Sequence, residues 1–212
     1  MPKNSVPNLK KSLRLYVIPD RGAGAPLSLE EQARLAIEGG ATAIQLRDKE
    51  ADGGELLRTA RALSALCRER RVLFIVNDRL DVALLSGADG VHLGQSDLPV
   101  TDARRLAPRP FLVGASAHTP SEALEAERDG ADYIGVGAVF GTGSKSDAAV
   151  IGLERLRETA AASRLPSVAI GGVTTENLPR VILCGVDGVS VIAAAVRGDV
   201  KGNTRELAKM LL

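Results

Sequence analysis

Three cations and two carboxylates stand just beyond short apolar runs in this sequence. The first group, Gln45-Leu46-Arg47-Asp48-Lys49, closes the run ATAIQLRDK. Period-2 alternation puts Gln45, Arg47 and Lys49 on one face and Leu46 and Asp48 on the other. An amide and two cations aimed at one place call for an anion. Asn77-Asp78 follow the run VLFIV, Asp97 lies in HLGQSD, Ser116 in GASAHT, and Thr142, Ser144 and Lys145 in GVGAVFGTGSKSD. Asp78 and Asp97 are too few for a calcium cage. They suit Mg²⁺, which keeps several waters and takes further ligands from a substrate phosphate. Histidine and cysteine show no zinc-ligand spacing.

Gly171-Gly172, after PSVAI, let backbone N–H groups approach a ligand, and Thr174 reads as the cap of a following helix whose N-terminus favours an anion. Two anionic places result, one metal-bound and one for a monophosphate. Of the two histidines, His92 reads as a packing or supporting residue, and His118, ahead of a helix cap, as the weaker candidate for a proton shuttle. Taken singly, each of these polar residues is an ordinary solvated charge; their recurrence at six strand ends is what carries the functional reading.

The elements that position them follow from a repeated phrase. GGATAIQL (39–46), GADGVHLG (87–94), GADYIGVG (130–137) and GVDGVSVI (185–192) each place Gly at a helix end, then a small or acidic residue, then a buried strand. Further strands fall near 13–19, 72–76, 111–115 and 166–170, which makes eight. Helical patterns fill the gaps. Ser28 with Glu31, and Thr119 with Pro120 and Glu122, read as capped helix starts. Eight apolar strands alternating with helices predict an α/β fold, a single closed (β/α)₈ TIM barrel over 12–212, with a flexible, disordered N-terminal tail at 1–11. An open doubly wound sheet is the alternative, but IPDRGAGAP lacks its glycine spacing. In such a barrel the C-terminal strand ends carry the chemistry.

Composition narrows the partners. The chain has 212 residues, 45% hydrophobic and 25% charged, and a formal net charge of +1. With that balance, no Trp, two Tyr and three Phe, nucleic acid is not expected. No run approaches the length of a membrane span, and the first dozen residues lack the pattern of a signal peptide. Cys67 and Cys184 sit in apolar helical stretches and read as buried, inert thiols. The expectation is a cytoplasmic protein with small-molecule partners.

The motifs QLRDK, VNDRLDVALLSGADGVHLGQSD, GASAHT, ADYIGVGAVFGTGSKSDA, VAIGGV and GVDGVSVIAA, in this order, resemble the thiamine-phosphate synthases over nearly the whole chain after the tail. The resemblance implies a transferase that joins 4-amino-2-methyl-5-pyrimidinylmethyl diphosphate to a thiazole phosphate, plain or carboxylated. Thiamine monophosphate and diphosphate would be the products, by Mg²⁺-assisted dissociative loss of diphosphate. Carried onto this chain, it implies that Gln45, Arg47, Lys49 and Asn77 hold the pyrimidine diphosphate and that Asp78 and Asp97 bind Mg²⁺. Ser116 and Lys145 would contact the diphosphate, and with Arg47 they would be the catalytic groups. Thr142, Ser144, Gly172 and the Ile192–Ala193 backbone would hold the thiazole phosphate.

Two departures concern affinity. FGTGSK replaces a Thr-x-Thr-Lys loop with prolines, and Ala193 stands where the family often has Ser. The paralogous thiazole tautomerase, a silent precursor-binding barrel and the pentose-phosphate epimerases are rival readings. The acidic pair and QLRDK disfavour the tautomerase, the retained carboxylates and Lys145 the silent barrel, and the metal pair the epimerases. A homo-oligomer is left open.

Overall fold

The short apolar runs pair into one parallel sheet that returns on itself. In the computed structural model, which describes residues 8–141 and 149–211, the strands are β1 (Leu15–Val17), β2 (Ala43–Leu46), β3 (Leu73–Asn77), β4 (Gly90–Leu93), β5 (Leu112–Ala117), β6 (Tyr133–Val136), β7 (Ser167–Ile170) and β8 (Gly188–Val191). Each pairs with the next, and β8 pairs back with β1 through Tyr16↔Ser190. That closure excludes the open sheet and gives the (β/α)₈ barrel.

The repeated phrase proves to be the device that joins strands two by two. Thr42 Oγ1 accepts the Leu15 N–H at 2.9 Å, Asp89 Oδ2 the Phe74 N–H at 3.0 Å, Asp132 Oδ2 the Val113 N–H at 2.8 Å, and Asp187 Oδ2 the Ser167 N–H at 2.9 Å. Each side chain at the start of an even strand therefore satisfies a backbone donor at the start of the odd strand before it. The glycines ahead of them, Gly40, Gly87, Gly130 and Gly185, all have positive φ, from 71° to 110°, which ends the preceding helix at little steric cost.

Ten helices are present among the described residues. Seven link consecutive strands: α2 (Leu29–Gly39), α3 (Gly53–Arg70), α4 (Leu80–Ser86), α5 (Val100–Leu106), α6 (Pro120–Arg128), α7 (Gly152–Ala162) and α8 (Leu178–Ile182). After β8 come α9 (Ala193–Val196) and α10 (Val200–Met210), which packs on α2. The expected caps form: Ser28 accepts the Glu31 N–H and Thr119 the Glu122 N–H. The return arm of each box does not, because Arg34 takes Glu31 and His118 takes Glu122. Between strands and helices lies the larger core; a second cluster (Leu13, Tyr16, Ala43, Leu73, Ile75, Leu112, Tyr133, Val168) fills the barrel. Cys67 and Cys184 are both free and buried, and burial first, then the Asp89 charge, pushes the Cys67 thiol up to about 12.

Part of the stretch expected as a tail, 1–11, is helical. Leu9–Ser12 form helix α1, capped by Asn8, tied by Lys10 to Asp187 at 2.9 Å, with Leu9 against the inner cluster. A lone leucine among lysines gave no periodicity by which to foresee it. No helix among the described residues is long and apolar enough to cross a membrane.

Candidate active site

Strand alternation decides what faces the barrel axis. Ile44, Leu46, Val76 and Val91 go outward to the helices, so Gln45, Asn77, His92, Ser116 and Ser190 go inward, above the apolar inner cluster. Small residues make the room: a Cβ at Gly135 would stand 3.0 Å from the His92 ring. The inward polar groups are joined. Gln45 Nε2 donates to Tyr16 Oη at 2.8 Å, and Tyr16 Oη lies 3.3 Å from Tyr133 Oη. Tyr133 Oη lies 3.2 Å from His92 Nδ1, and His92 Nε2 3.1 Å from Ser116 Oγ. Burial raises both phenols well above the ordinary tyrosine range, so they are neutral hydroxyls at any working pH.

The cavity above them is only about 40 Å³, little more than a water's share of liquid volume, roughly 30 Å³. It is the polar floor of a larger space rather than a container. That space has two parts. One, about 300 Å³, lies over β5 to β8 and shares Ser116, Gly135, Ile170, Ser190 and Ile192 with the floor. The other, about 550 Å³, is a mouth lined by Arg47, Lys49 and Arg197.

QLRDK divides its labour. Gln45 is in the polar floor, and Arg47 lines both floor and mouth, with a buried Nε that has no hydrogen-bond partner among the described residues. A buried, unpaired guanidinium donor is costly to leave unmade and is ready for an anion. Lys49 extends into the mouth and pairs with Asp78 at 3.7 Å. Asp48 also lines the mouth but is already engaged. Its carboxylate takes Arg21 at 2.7 Å and the Glu50 and Ala51 N–H groups, and so holds the loop in place.

Asp78 follows β3 with φ 61°, a left-handed backbone that few non-glycine residues adopt and that is common at functional sites. Asp97 Oδ2 accepts the Gly94 N–H at 2.7 Å, which fixes the turn after β4. Among the described residues no three His, Cys, Asp or Glu side chains converge as a metal cage. Asp97 lines a separate cavity beside Gln95 and Glu122; two hard carboxylates completed by water and substrate phosphate would be the kind of donor set that suits Mg²⁺.

On the far side, Gly171 and Gly172 have φ 98° and 63°, and a Cβ at Gly172 would stand 2.7 Å from the Gly141 carbonyl oxygen. Both line the 300 Å³ cavity, as do Ile192 and Ala193 where β8 runs into α9. Thr174 does not cap the next helix. Asn177 Oδ1 accepts the Thr174 N–H, Asn177 Nδ2 donates to the Gly172 carbonyl, and α8 starts only at Leu178. The loop is therefore braced by Asn177, and no helix terminus at Thr174 is available to an anion. His118 lines this cavity, bound to Glu122 through its backbone N–H at 2.7 Å and Nδ1 at 2.9 Å.

A sequence model described as thiamine monophosphate synthase matches residues 15–195. The chain belongs to the thiamine monophosphate synthase family. It is 50% identical to thiamine-phosphate synthase of Coprothermobacter proteolyticus, over 96% of this chain and 97% of that one. It is 53% identical to that of Methanocella arvoryzae, over 93% and 94%. Among solved structures, thiamine phosphate pyrophosphorylase from Pyrococcus furiosus superposes with a TM-score of 0.89 at 47% identity, covering 96% of this chain and 98% of that one.

Of the residues that resemblance to this synthase family singled out, Gln45, Arg47, Asn77 and Ser116 meet in the polar floor, Lys49 in the mouth, and Gly172, Ile192 and Ala193 in the larger cavity. Thr142, Ser144 and Lys145 lie outside the described residues, as does most of the loop after β6. Two residues were missed. Ser190, on β8, has a buried Oγ without a partner among the described residues and lines both the floor and the larger cavity. Arg197 lines the larger cavity and the mouth. Period 2 from Ile192 would have turned Ser190 inward, whereas nothing local marks Arg197.

Proposed function

We propose that this chain is a thiamine-phosphate synthase, joining a pyrimidinylmethyl diphosphate to a thiazole phosphate. The observation that carries the reading is how the spaces join: the mouth that holds Arg47 and Lys49 shares Ala193 and Arg197 with the glycine-lined cavity, and the polar floor joins the mouth at Arg47 and that cavity at Ser116, Gly135, Ile170, Ser190 and Ile192. Two phosphorylated substrates that must bond to each other need that layout.

Gln45 and Asn77 hold the pyrimidine side. Arg47, Lys49, Ser116 and Lys145 bind the diphosphate, and Arg47 brings an otherwise unpaired Nε to it. Asp78 and Asp97 would hold Mg²⁺, which neutralises charge on the departing diphosphate. Gly172, Thr142, Ser144 and the Ile192–Ala193 backbone hold the thiazole phosphate. As the pyrimidine carbon loses its diphosphate, positive charge develops on the methylene and negative charge on the leaving group. The cations answer the negative charge, and the thiazole nitrogen attacks the methylene. Stabilisation of the leaving group is the main catalytic term, so no strong general base is required.

Incubation of pure protein with both substrates and Mg²⁺ should yield thiamine monophosphate and one equivalent of diphosphate. Omission of either substrate, or excess chelator, should abolish it. Isomerisation of the thiazole alone, with no coupled product at any Mg²⁺ concentration, would overturn the reading in favour of a tautomerase.

A further inference from the structure

The joined polar groups of the barrel floor have a direction. Gln45 Nε2 is an amide nitrogen, which donates and cannot accept, and its acceptor is Tyr16 Oη at 2.8 Å. Tyr16 has one hydrogen of its own and one further hydroxyl in reach, Tyr133 Oη at 3.3 Å. The hydrogen goes there. Tyr133 then has its own hydrogen for His92 Nδ1, at 3.2 Å. A ring nitrogen that accepts is unprotonated, so neutral His92 bears its hydrogen on Nε2, 3.1 Å from Ser116 Oγ. Ser116 Oγ accepts that hydrogen and is left with its own to give away. Ser116 lines both the floor and the larger cavity, so the receiver is a bound molecule.

We propose that Tyr16, Tyr133 and His92 are positioning residues: a one-way chain from Gln45 fixes His92 as the Nε2–H tautomer and commits the Ser116 hydroxyl to donate to the substrate diphosphate. The last clause rests on the function proposed above; the order of the chain does not. A free serine hydroxyl rotates among staggered positions and donates or accepts as its neighbours require. Here the choice is made before substrate arrives, by residues on β2, β1, β6, β4 and β5 in turn. A donor already aimed where negative charge develops needs no reorganisation during the reaction, which is where such groups have most effect. Tyr16 and Tyr133 are fully buried and their hydroxyls stay protonated, so the order does not change with pH at the phenols.

Three measurements test the chain. In the free protein with ¹⁵N-labelled histidine, two-bond correlations should show His92 as the Nε2–H tautomer, with His118→Asn assigning the other ring. An Nδ1–H tautomer in wild type would overturn the proposal. In Tyr133→Phe the donor to Nδ1 is gone, so the tautomer preference should weaken. Turnover should also fall about tenfold, the scale of one hydrogen bond, mostly in kcat. A purely structural tyrosine would lower the melting temperature without moving the tautomer. In a double-mutant cycle, Tyr133→Phe should cost nothing further in a Ser116→Ala background. Additive losses would mean that the tyrosine does not act through Ser116, and the proposal would fall.

If wild type forms no thiamine monophosphate, the proposed function fails independently. The chain is then judged by the tautomer and by calorimetric binding of inorganic diphosphate, which should weaken in Tyr133→Phe. Unchanged binding would overturn it.

Discussion

Gly114 lies flat against the ring of Tyr133: a Cβ at 114 would stand 2.5 Å from Tyr133 Oη and nearer still to the ring carbons. The missing side chain on β5 is what lets a fully buried tyrosine from β6 reach Tyr16 and His92. Gly114→Ala should therefore displace the ring, destabilise the fold by about 1–3 kcal/mol, the usual cost of overpacking a close-packed core, and lower turnover through Tyr133. Thermal unfolding and kcat/KM check this together. An unchanged melting temperature would mean that the ring has somewhere else to go.

Asp78→Asn and Asp97→Asn each remove one negative charge from the place assigned to the metal. Both residues lie in turns beyond their strands, outside the core, so the fold should survive. Turnover should drop at least roughly a hundredfold, with the Mg²⁺ concentration for half-activity raised. A variant with wild-type turnover and wild-type Mg²⁺ dependence removes its residue from the site.

Lys145→Ala should slow bond formation far more than it changes stability, since it removes the cation proposed to meet the leaving diphosphate. It should also raise the fraction of pyrimidine diphosphate lost to water. A single-turnover reaction that counts thiamine monophosphate against hydroxymethylpyrimidine reads both. Equal rate and equal partition to wild type would make Lys145 an ordinary solvated charge.

Asp48 gives a pH prediction. Burial alone would raise its carboxyl, but the Arg21 guanidinium and the Glu50 and Ala51 N–H groups outweigh it and hold the carboxyl below its ordinary value. A carboxyl lower in the folded than in the unfolded chain adds stability in full above the unfolded value, about 3.9. That contribution disappears as the pH falls through the folded value. Asp48→Asn should thus melt earlier than wild type at pH 7, and the two curves should converge as the pH falls below the unfolded value. A constant difference across that range would mean that the charge on Asp48 is not what matters.

The strands, their number and their parallel order could be read from the sequence because four are apolar runs that follow a helix-ending glycine and the other four are apolar runs between them. Runs buried on both faces look alike whatever their neighbours. The residues at their ends were legible for the same reason: Arg47, Asn77 and Ser116 sit in register after apolar stretches, and a barrel has only one rim on which such ends can meet. Thr174 reads as a cap from its residue type and its place just after Gly171-Gly172. Whether it caps depends on where Asn177 puts its amide. Asp48 is adjacent to two expected ligands and lines the same mouth, yet serves Arg21 and the Glu50 and Ala51 N–H groups, partners that only the folded loop brings to it.

What the sequence by itself determined is the closed barrel, the family and the set of polar groups on the rim, since these follow from local pattern and from the identity of the residues. What only the tertiary structure decided is how those groups act on one another. The Asp and Thr of the repeated phrase find their partners 15 to 27 residues back, on the preceding strand. Gln45 reaches Ser116 only through Tyr16, Tyr133 and His92, which are scattered over more than a hundred positions. Periodicity reports which face a side chain takes. A hydrogen bond depends on distances of a few tenths of an ångström, and those are fixed only when eight strands close and Gly114 leaves space for a ring.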